Sequence, residues 1–367
     1  MKNIYFCALV LGACSAANAQ STVSIYGAID AGIRHTTGSG NKSLSELSTS
    51  GMAGSRIGFR IHEDLGNGMY AGAGLEGSLN IDTGTGRPSN TNNQPSGATA
   101  ASGLTFDRFS YVKLGDRQWG ELRLGRDFSP NHRNATDFDV FNGVGIAKAG
   151  NFIYTTVGSA SMPTTISVSN TVSYWLPQTL GGFHGFVMAG SGENANDGPK
   201  KNDGNYLGTR FGYKSGRFDS AIALAKTKYD PTNTIGDYRH MSIAASWDAS
   251  FAQFYLIHNI VKVKLAAGNV DKQTTTISSN IPVFGTDRIR LSISHLNDKS
   301  NSLGTASNDA NQFAIGYVRN LSKRTAIYGT WAKISNHGSA QYAVTGSPTP
   351  APGRASSGFE IGIRHFY

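Results

Sequence analysis

The sequence predicts an all-β protein, a 16-stranded antiparallel β-barrel that spans a membrane. Two features of the 367-residue chain lead to this fold. Segments of roughly ten residues alternate between apolar and polar side chains, which is the signature of transmembrane strands. The connections between these segments also alternate in length, and a soluble β-sandwich has no reason to sort its loops in this way. With 45 glycines and only 11 prolines, the composition suits strands and tight turns.

The first strands show the alternation most clearly. In residues 22–34 every second residue is apolar or glycine, from Val23 to Ile33. Residues 56–62 repeat the pattern, and residues 64–68 then form a tight turn. No later stretch approaches the eighteen or so apolar residues that a membrane-spanning helix requires. The chain is therefore predicted either to be soluble or to cross a membrane with strands.

Seven connections are short and eight are long, so that fifteen connections join sixteen strands. An even strand number, with short turns at one end and long loops at the other, describes an outer-membrane barrel. The short connections lie near residues 65–68, 116–120, 177–182, 215–217, 248–250, 282–285 and 320–324. The long connections lie near residues 35–50, 82–103, 127–165, 192–204, 230–236, 264–272, 298–309 and 336–354.

The third long connection, residues 127–165, stands apart from the others. It begins at the end of a strand and becomes a polar segment in which no part alternates cleanly. A structureless connection of this length is unusual in a compact domain and is usually functional when it occurs. We expect it to fold into the bore of the barrel and to set the size and charge of a pore.

The N-terminal residues have the pattern of an export signal. Lys2 supplies a positive charge, residues 4–12 form a short apolar run, and residues 17–19 (Ala-Asn-Ala) match a cleavage site. We expect cleavage after Ala19, which leaves a single barrel domain over residues 20–367.

Both cysteines, Cys7 and Cys14, fall within this signal. The mature chain is then expected to contain no disulfide framework and no thiolate metal site. A lipoprotein signal is the alternative, because residues 11–14 (Leu-Gly-Ala-Cys) resemble a lipobox. The clean strand that begins directly after Ala19 favours the first interpretation.

Signals for catalysis, cofactors and nucleic-acid binding are poor. Residues 72–77 match G-x-G-x-x-G, but they lie within a predicted strand with no helix after it. No G-x-S-x-G or H-E-x-x-H motif occurs, and the nine histidines show no ligand spacing. The net charge of +9 is dispersed over strands rather than gathered on a basic helix. We expect no enzymatic activity, no cofactor, no metal and no nucleic-acid partner.

The predicted last strand ends on an aromatic residue that shares the apolar face. Phe359, Ile361, Ile363 and Tyr367 all fall on this face. Five segments are similar to one known family: STVSIYGAIDAGI, SRIGFRIHEDLGNG, GELRLGRDFSP, NLSKRTAIYG and GIRHFY. Together they resemble the Gram-negative general diffusion porins of β-proteobacteria, over the whole predicted mature chain.

The resemblance implies a homotrimer in the outer membrane that lets small hydrophilic solutes and ions diffuse passively, often with a preference for anions. It implies that the third long loop, residues 127–165, bends inward and forms the constriction. It also implies that the barrel assembly machinery reads the final strand, residues Phe359, Ile361, Ile363 and Tyr367. Members of this family usually end on Phe, whereas this chain ends on Tyr367.

Strand parity assigns faces to the arginines independently of the resemblance. Arg34, Arg56, Arg60 and Arg123 alternate with apolar residues, so they are expected to face the lumen. An arginine on the lipid side at mid-bilayer would cost about 2–4 kcal/mol. The surplus of basic residues in the lumen predicts an anion preference.

Arg108 and Arg126 are harder to place, because both share the parity of outward apolar residues. Arg108 matches a lumen arginine of the resembling family, and a bulge near Phe109 would reconcile the two observations. The predicted constriction has a basic wall and a charged loop that opposes it. The wall residues are Arg34, Arg56, Arg60, Arg108, Arg123 and Arg126, and the loop residues are Asp127, Arg133, Asp137 and Asp139.

Alternative interpretations stay open at this stage. The arginines could make structural ion pairs that pin the loop, and Arg126 and Arg133 could belong to such an anchor. The same barrel could be a substrate-specific channel or a surface adhesin, with its specificity in loops such as residues 82–103. Lys226 and Lys228 could meet anionic lipopolysaccharide in the membrane, or could simply be a solvated strand end.

Overall fold

The computed structural model describes residues 21–100, 103–154, 156–157, 160–195, 198, 200–301 and 308–367. The predicted signal peptide, with its cleavage site after Ala19, lies outside the described residues. Within them the chain forms twenty strands and two short α-helices. The strands are β1 Thr22–Gly38, β2 Ser43–Thr49, β3 Arg56–Gly66, β4 Met69–Asn80, β5 Thr85–Gly86, β6 Phe109–Asp116, β7 Gly120–Phe128, β8 Thr156–Val157, β9 Ala160–Ser161, β10 Ser167–Trp175, β11 Phe183–Gly190, β12 Tyr206–Ser215, β13 Phe218–Thr227, β14 Tyr238–Asp248, β15 Gln253–Lys264, β16 Asn269–Pro282, β17 Arg288–Asp298, β18 Ala310–Asn320, β19 Thr325–Asn336 and β20 Ser356–Phe366. The helices are α1 Pro130–Asp137 and α2 Gly150–Ile153.

Sixteen of these strands form a closed antiparallel barrel, which confirms the predicted fold. They are β1, β3, β4, β6, β7 and β10 to β20, and each pairs with the next along the chain. Closure comes from β20, which runs antiparallel to β1 with Ile33 opposite Ile361. The side chain of Tyr367 covers Gly27 of β1, where a Cβ atom would overlap the phenol ring. Glycine at position 27 therefore leaves room for the last aromatic ring at the seam.

Alternation along the strands separates an exposed outer face from a buried inner face. In β18, Phe313, Ile315 and Tyr317 are exposed, while Ala314 and Gln312 between them are buried. Exposed aliphatic and aromatic side chains on the outside of a closed barrel are the arrangement of a protein surrounded by lipid. In β20 the same face carries Phe359, Ile361 and Ile363, each 45–62% exposed, as the sequence pattern predicted.

All seven predicted short turns join neighbouring barrel strands at one end of the barrel. Two of the eight predicted long loops, however, are only short turns. β1 and β2 are joined by residues 39–42, and β15 and β16 by residues 265–268. The polar residues assigned to these loops extend the strands instead, because their hydrogen-bonded pairing continues beyond the apolar zone.

Beside β1, the wall is made by two strands with an inward excursion of the chain between them. β2 pairs with residues 31–37 of β1, and β3 pairs with residues 22–28. Residues 50–55, between β2 and β3, leave the wall. The buried carboxylate of Asp30 accepts hydrogen bonds from the backbone N–H groups of Gly51, Met52 and Ala53 at 2.7–3.1 Å. It also accepts one from the hydroxyl of Tyr328 at 2.7 Å. One carboxylate thus satisfies backbone donors that the break removes from the sheet.

Replacement of Asp30 by Asn tests this role. The asparagine amide has one acceptor oxygen instead of two, and its NH₂ group would face the N–H and O–H donors that the carboxylate now accepts. A hydrogen bond to a charged group contributes about 1.5–3 kcal/mol to stability. We expect the temperature at which the folded gel band of the unboiled protein disappears to fall by several degrees. Asp248→Asn is the matched control, because Asp248 accepts an N–H bond in an exposed turn. Equal shifts in both variants would contradict a special role for Asp30.

Candidate functional site at the barrel constriction

The connection between β7 and β10, residues 129–166, is called loop 3 here. It is not the irregular segment that the sequence predicted, because it contains both α-helices. The Ser129 hydroxyl caps α1 by accepting a hydrogen bond from the His132 N–H, and Pro130 occupies the first turn. This Ser-Pro pair is an ordinary helix-start signal. No helix among the described residues is long and apolar enough to cross a membrane.

Loop 3 lies against the inner face of one half of the barrel. The amide of Asn131 donates to the Ala223 carbonyl, and Asn134 donates to the hydroxyl of Ser242 on the next strand. Further along, Phe138 and Ile153 pack in one buried cluster with the inward residues Ala221, Ala244 and Ile257. The loop tip forms a second cluster with β17, β18 and β19, made by Val140, Phe141, Ile146, Leu296, Ala314 and Ala332.

Between loop 3 and the opposite wall lies a cavity of 830 Å³. Strands β3, β4, β6 and β7 supply the wall side, and α1 with residues 142–144 supplies the loop side. The inward excursion of β2–β3 contributes Ala53 and Gly54 to the rim. Six cationic side chains line the cavity: Arg56, Arg60, Arg108, Lys113, Arg123 and Arg133.

Glycines and tyrosines on the wall give three of these cations a place to lie. Tyr26, Tyr70 and Tyr111 stand directly opposite Gly58, Gly115 and Gly74 in the neighbouring strands. Each ring occupies the space that a Cβ atom on its glycine would fill. Three cations lie over the faces of the same rings, namely Arg60 over Tyr26 at 4.2 Å, Lys113 over Tyr70 at 5.1 Å and Arg123 over Tyr111 at 4.5 Å. Cation–π attraction therefore holds these side chains flat against the wall.

Three buried carboxylates connect the cations into two groups. Glu76 pairs with Arg108 and, at 3.3 Å, with Arg56, and it accepts the Tyr26 hydroxyl at 2.9 Å. These residues form the first group, which covers β1, β3, β4 and the residue before β6.

The second group is a chain of alternating charges along β6, β7 and α1. Glu121 joins Lys113 at 2.8 Å to Arg123. Asp127 then joins Arg123 at 2.9 Å to Arg133 at 2.8 Å. Five of the six cations thus share three carboxylates. The sixth, Arg60, has no acidic partner among the described ion pairs.

The structure places two of the predicted wall arginines outside this cavity. Arg34 faces inward, as its parity predicted, but lies between Glu46 at 2.6 Å and Glu360 at 3.7 Å. Arg126 donates to the carbonyls of Asp107 and Asn90 at 2.7 and 3.0 Å and to the Ser169 hydroxyl. Its contacts hold the long second loop against the wall.

Arg108 reaches the cavity because strand parity does not apply to it. The regular pairing of β6 starts at Phe109, so Arg108 precedes the ladder and its side chain can turn towards Glu76. Its guanidinium also lies 5.1 Å from the ring centre of Phe128. The irregularity that the sequence argument required is thus the start of the strand rather than a bulge within it.

The acids predicted for the constriction loop do not form a face that opposes the arginines. Asp127 belongs to β7 and is buried among the cations of the wall. Asp137 lines the cavity but pairs at 2.9 Å with Arg210 of β12. Asp139 is buried in the loop and accepts the N–H groups of Phe141, Gly143 and Ala149 at 3.0–3.1 Å. Burial raises the pKa of the Asp139 carboxyl, and these three bonds oppose that shift.

On the loop side of the cavity, the positive charge of Arg133 is bound to Asp127 and the negative charge of Asp137 is bound to Arg210. Burial and the nearby positive charges of Arg108, Arg133 and Lys148 lower the pKa of His132 to about 3, so its ring is neutral at neutral pH. The roles of Glu76, Lys113 and the wall tyrosines were not predicted from the sequence. Each of these residues lies on the polar face of a predicted strand, so its inward direction could have been inferred. Which tyrosine faces which glycine depends on the strand register.

Comparison with known proteins assigns this architecture to a family. A family model described as Gram-negative porin matches residues 7–339. The outer membrane porin protein 32 of Delftia acidovorans is 30% identical over 373 residues, with both chains fully covered. Among solved structures, the anion-selective porin from Comamonas acidovorans has a TM-score of 0.81 at 28% identity, covering 95% of this chain and all of that one. The trimer form of OmpT from Vibrio cholerae has a TM-score of 0.66 at 11% identity, covering 95% of this chain and 99% of that one.

The fold and the lined cavity define a membrane-spanning β-barrel channel. The chain belongs to the Gram-negative porin family, and it is an outer-membrane general diffusion porin. The long loops of such barrels face the outside of the cell and the short turns face the periplasm. No group of three or more potential metal-ligating side chains occurs in the part of the chain that the structure describes.

Replacement of Asp139 by Asn tests whether this buried acid organises loop 3. We expect larger current fluctuations through single channels, because a tip that loses charge-assisted hydrogen bonds worth about 1.5–3 kcal/mol is held less firmly. Asp248→Asn is the control, since Asp248 lies in an exposed turn at the other end of the barrel and makes none of the described hydrogen bonds or ion pairs of loop 3. Quiet channels in Asp139→Asn, recorded in planar bilayers, would rule out this role.

Proposed function

We propose that the cavity between loop 3 and the wall of β3, β4, β6 and β7 is the constriction of a pore that prefers anions. The observation that carries the proposal is the surplus of cations, since the cavity has six cationic side chains and only three carboxylates are paired with them. Clusters of fixed charge in a narrow water-filled pore select ions by sign. The relative from Comamonas acidovorans, described as an anion-selective porin, supports the same preference.

The basic lining consists in this proposal of the wall residues Arg56, Arg60, Arg108, Lys113 and Arg123, together with Arg133 of loop 3. Arg60 is its most effective member, because it is exposed to the cavity and has no described acidic partner. Arg34 and Arg126 are structural residues in this proposal. The same charges both hold the loop and select ions in this proposal. Asp127 fixes Arg133 of the loop to Arg123 of the wall, and three positive charges in the cavity stay uncompensated.

Opposite charge changes at neighbouring positions test the selectivity. Arg60→Gln removes roughly one third of the excess positive charge and is expected to lower the chloride-to-potassium permeability ratio. Glu76→Gln leaves Arg56 and Arg108 without a carboxylate and is expected to raise that ratio. Both ratios follow from reversal potentials in a potassium chloride gradient across a planar bilayer.

Arg126→Gln is the matched control, because it removes an arginine of the same region that lies outside the cavity. The permeability ratio should equal that of the unaltered protein. A cation preference in the unaltered protein, or the same ratio in Arg60→Gln and Glu76→Gln, would refute the proposed selective wall.

The finer details of export and assembly are proposals as well. We infer that residues 1–19 are removed on export, that the barrel assembly machinery recognises the outward face of β20, and that the channel works as a homotrimer. The last point is supported by OmpT from Vibrio cholerae, which is described in a trimer form. We also infer that lipopolysaccharide contacts the outer face. The oligomer is tested by light scattering of the detergent-solubilised protein, where a single-chain mass would contradict a trimer.

A further inference from the structure

A row of three cations crosses the outer face of the barrel near its loop end. Lys226 of β13 stands directly opposite Arg239 of β14, and Arg239 stands directly opposite Lys262 of β15. Neighbouring strands lie about 4.8 Å apart, so the three charges fall within roughly 10 Å. Like charges directly opposite each other destabilise a sheet. A surface that keeps such a row therefore gains from an anion placed over it.

Nearby acids neutralise only the two ends of this row. Lys226 pairs with Asp237 at 2.8 Å, and Lys262 pairs with Asp271 at 3.2 Å. The central Arg239 is exposed and makes none of the ion pairs found in the described residues. A guanidinium suits phosphate, because its planar set of donors can bind two oxygens at once.

An apolar row lies one step nearer the middle of the barrel. Leu224, Met241 and Ile260 are directly paired across the same three strands. With Val187 and Leu207 they line a groove of 640 Å³, whose loop-side edge carries Lys226, Arg239 and Lys262. The unbranched Met241 side chain in its middle adapts readily to a neighbouring chain.

We propose that this groove binds a phosphorylated lipid of the outer leaflet that has several acyl chains, as in lipopolysaccharide. A phosphate lies over Arg239 between the two lysines, and an acyl chain follows Leu224, Met241 and Ile260 towards the middle of the membrane. The order of the two rows matches that of such a lipid, whose charged head faces the loop side and whose chains face the bilayer interior. The site rests on the lipid contact proposed above and gives it a location and a chemistry.

The test uses the complete folded barrel in detergent and a hexa-acylated, bisphosphorylated lipid A as the probe. Binding is followed by native mass spectrometry. The triple variant Lys226→Gln, Arg239→Gln, Lys262→Gln is expected to bind about a hundredfold more weakly, because each cation near an anionic lipid contributes roughly a fivefold factor. Met241→Asn is expected to weaken binding without a change of charge.

A second triple variant is the matched control. Arg217→Gln, Arg319→Gln and Lys323→Gln remove three exposed cations at the turn end of the barrel, and binding should be unchanged. A phosphate-free lipid of the same acylation should bind poorly to the unaltered protein. Equal binding of lipid A by both triple variants would overturn the proposal, and so would full displacement of lipid A by inorganic phosphate, which would mark a simple anion site.

The reversal potential separates this proposal from that of the pore. The cation row lies outside the lumen, so its triple variant should keep the ion preference of the unaltered channel. Loss of lipid binding with unchanged selectivity supports the lipid site. A change in selectivity would show that the row communicates with the pore and would overturn its assignment as a surface site.

Discussion

The closed hydrogen-bonded ladder is the constraint on which this structure depends. Lipid offers no partners for backbone N–H and C=O groups, so strands can cross it only if every edge is paired. Pairing of β20 with β1 removes the last two edges, and Tyr367 covers Gly27 at the seam. Once the wall is closed, its alternation divides side chains between lipid and lumen. The arginine positions follow from that division.

The one large break in the wall obeys the same constraint. Residues 50–55 leave the ladder between β2 and β3, and the Asp30 carboxylate receives the N–H groups that have lost their strand partners. The excursion also touches loop 3, because the amide of Asn142 donates to the Met52 carbonyl at 3.4 Å. A defect in one strand thereby becomes part of the rim of the cavity. Its cost is offset by a single buried acid that serves several donors.

Loop 3 packs against one side of the lumen, and cationic side chains line the opposite side. Small inward residues such as Ala221, Ala244 and Ala314 let loop 3 approach the wall over β13 to β18. On the opposite wall, glycines make room for tyrosine rings, and those rings support Arg60, Lys113 and Arg123. The cavity is the space between the two. Ion pairs and aromatic rings hold the cations that line it against the wall.

The sequence by itself determined the sixteen strands, the seven short turns, the lipid-facing side of the last strand and the inward direction of Arg56, Arg60 and Arg123. These follow from a period of two, which each strand carries locally. Only the tertiary structure decided which charges meet. It placed Arg34 and Arg126 away from the cavity, brought in Lys113, and gave Asp139 to the interior of loop 3. Ion pairing depends on register and on the path of a long loop, and both are set by contacts between residues far apart in the chain.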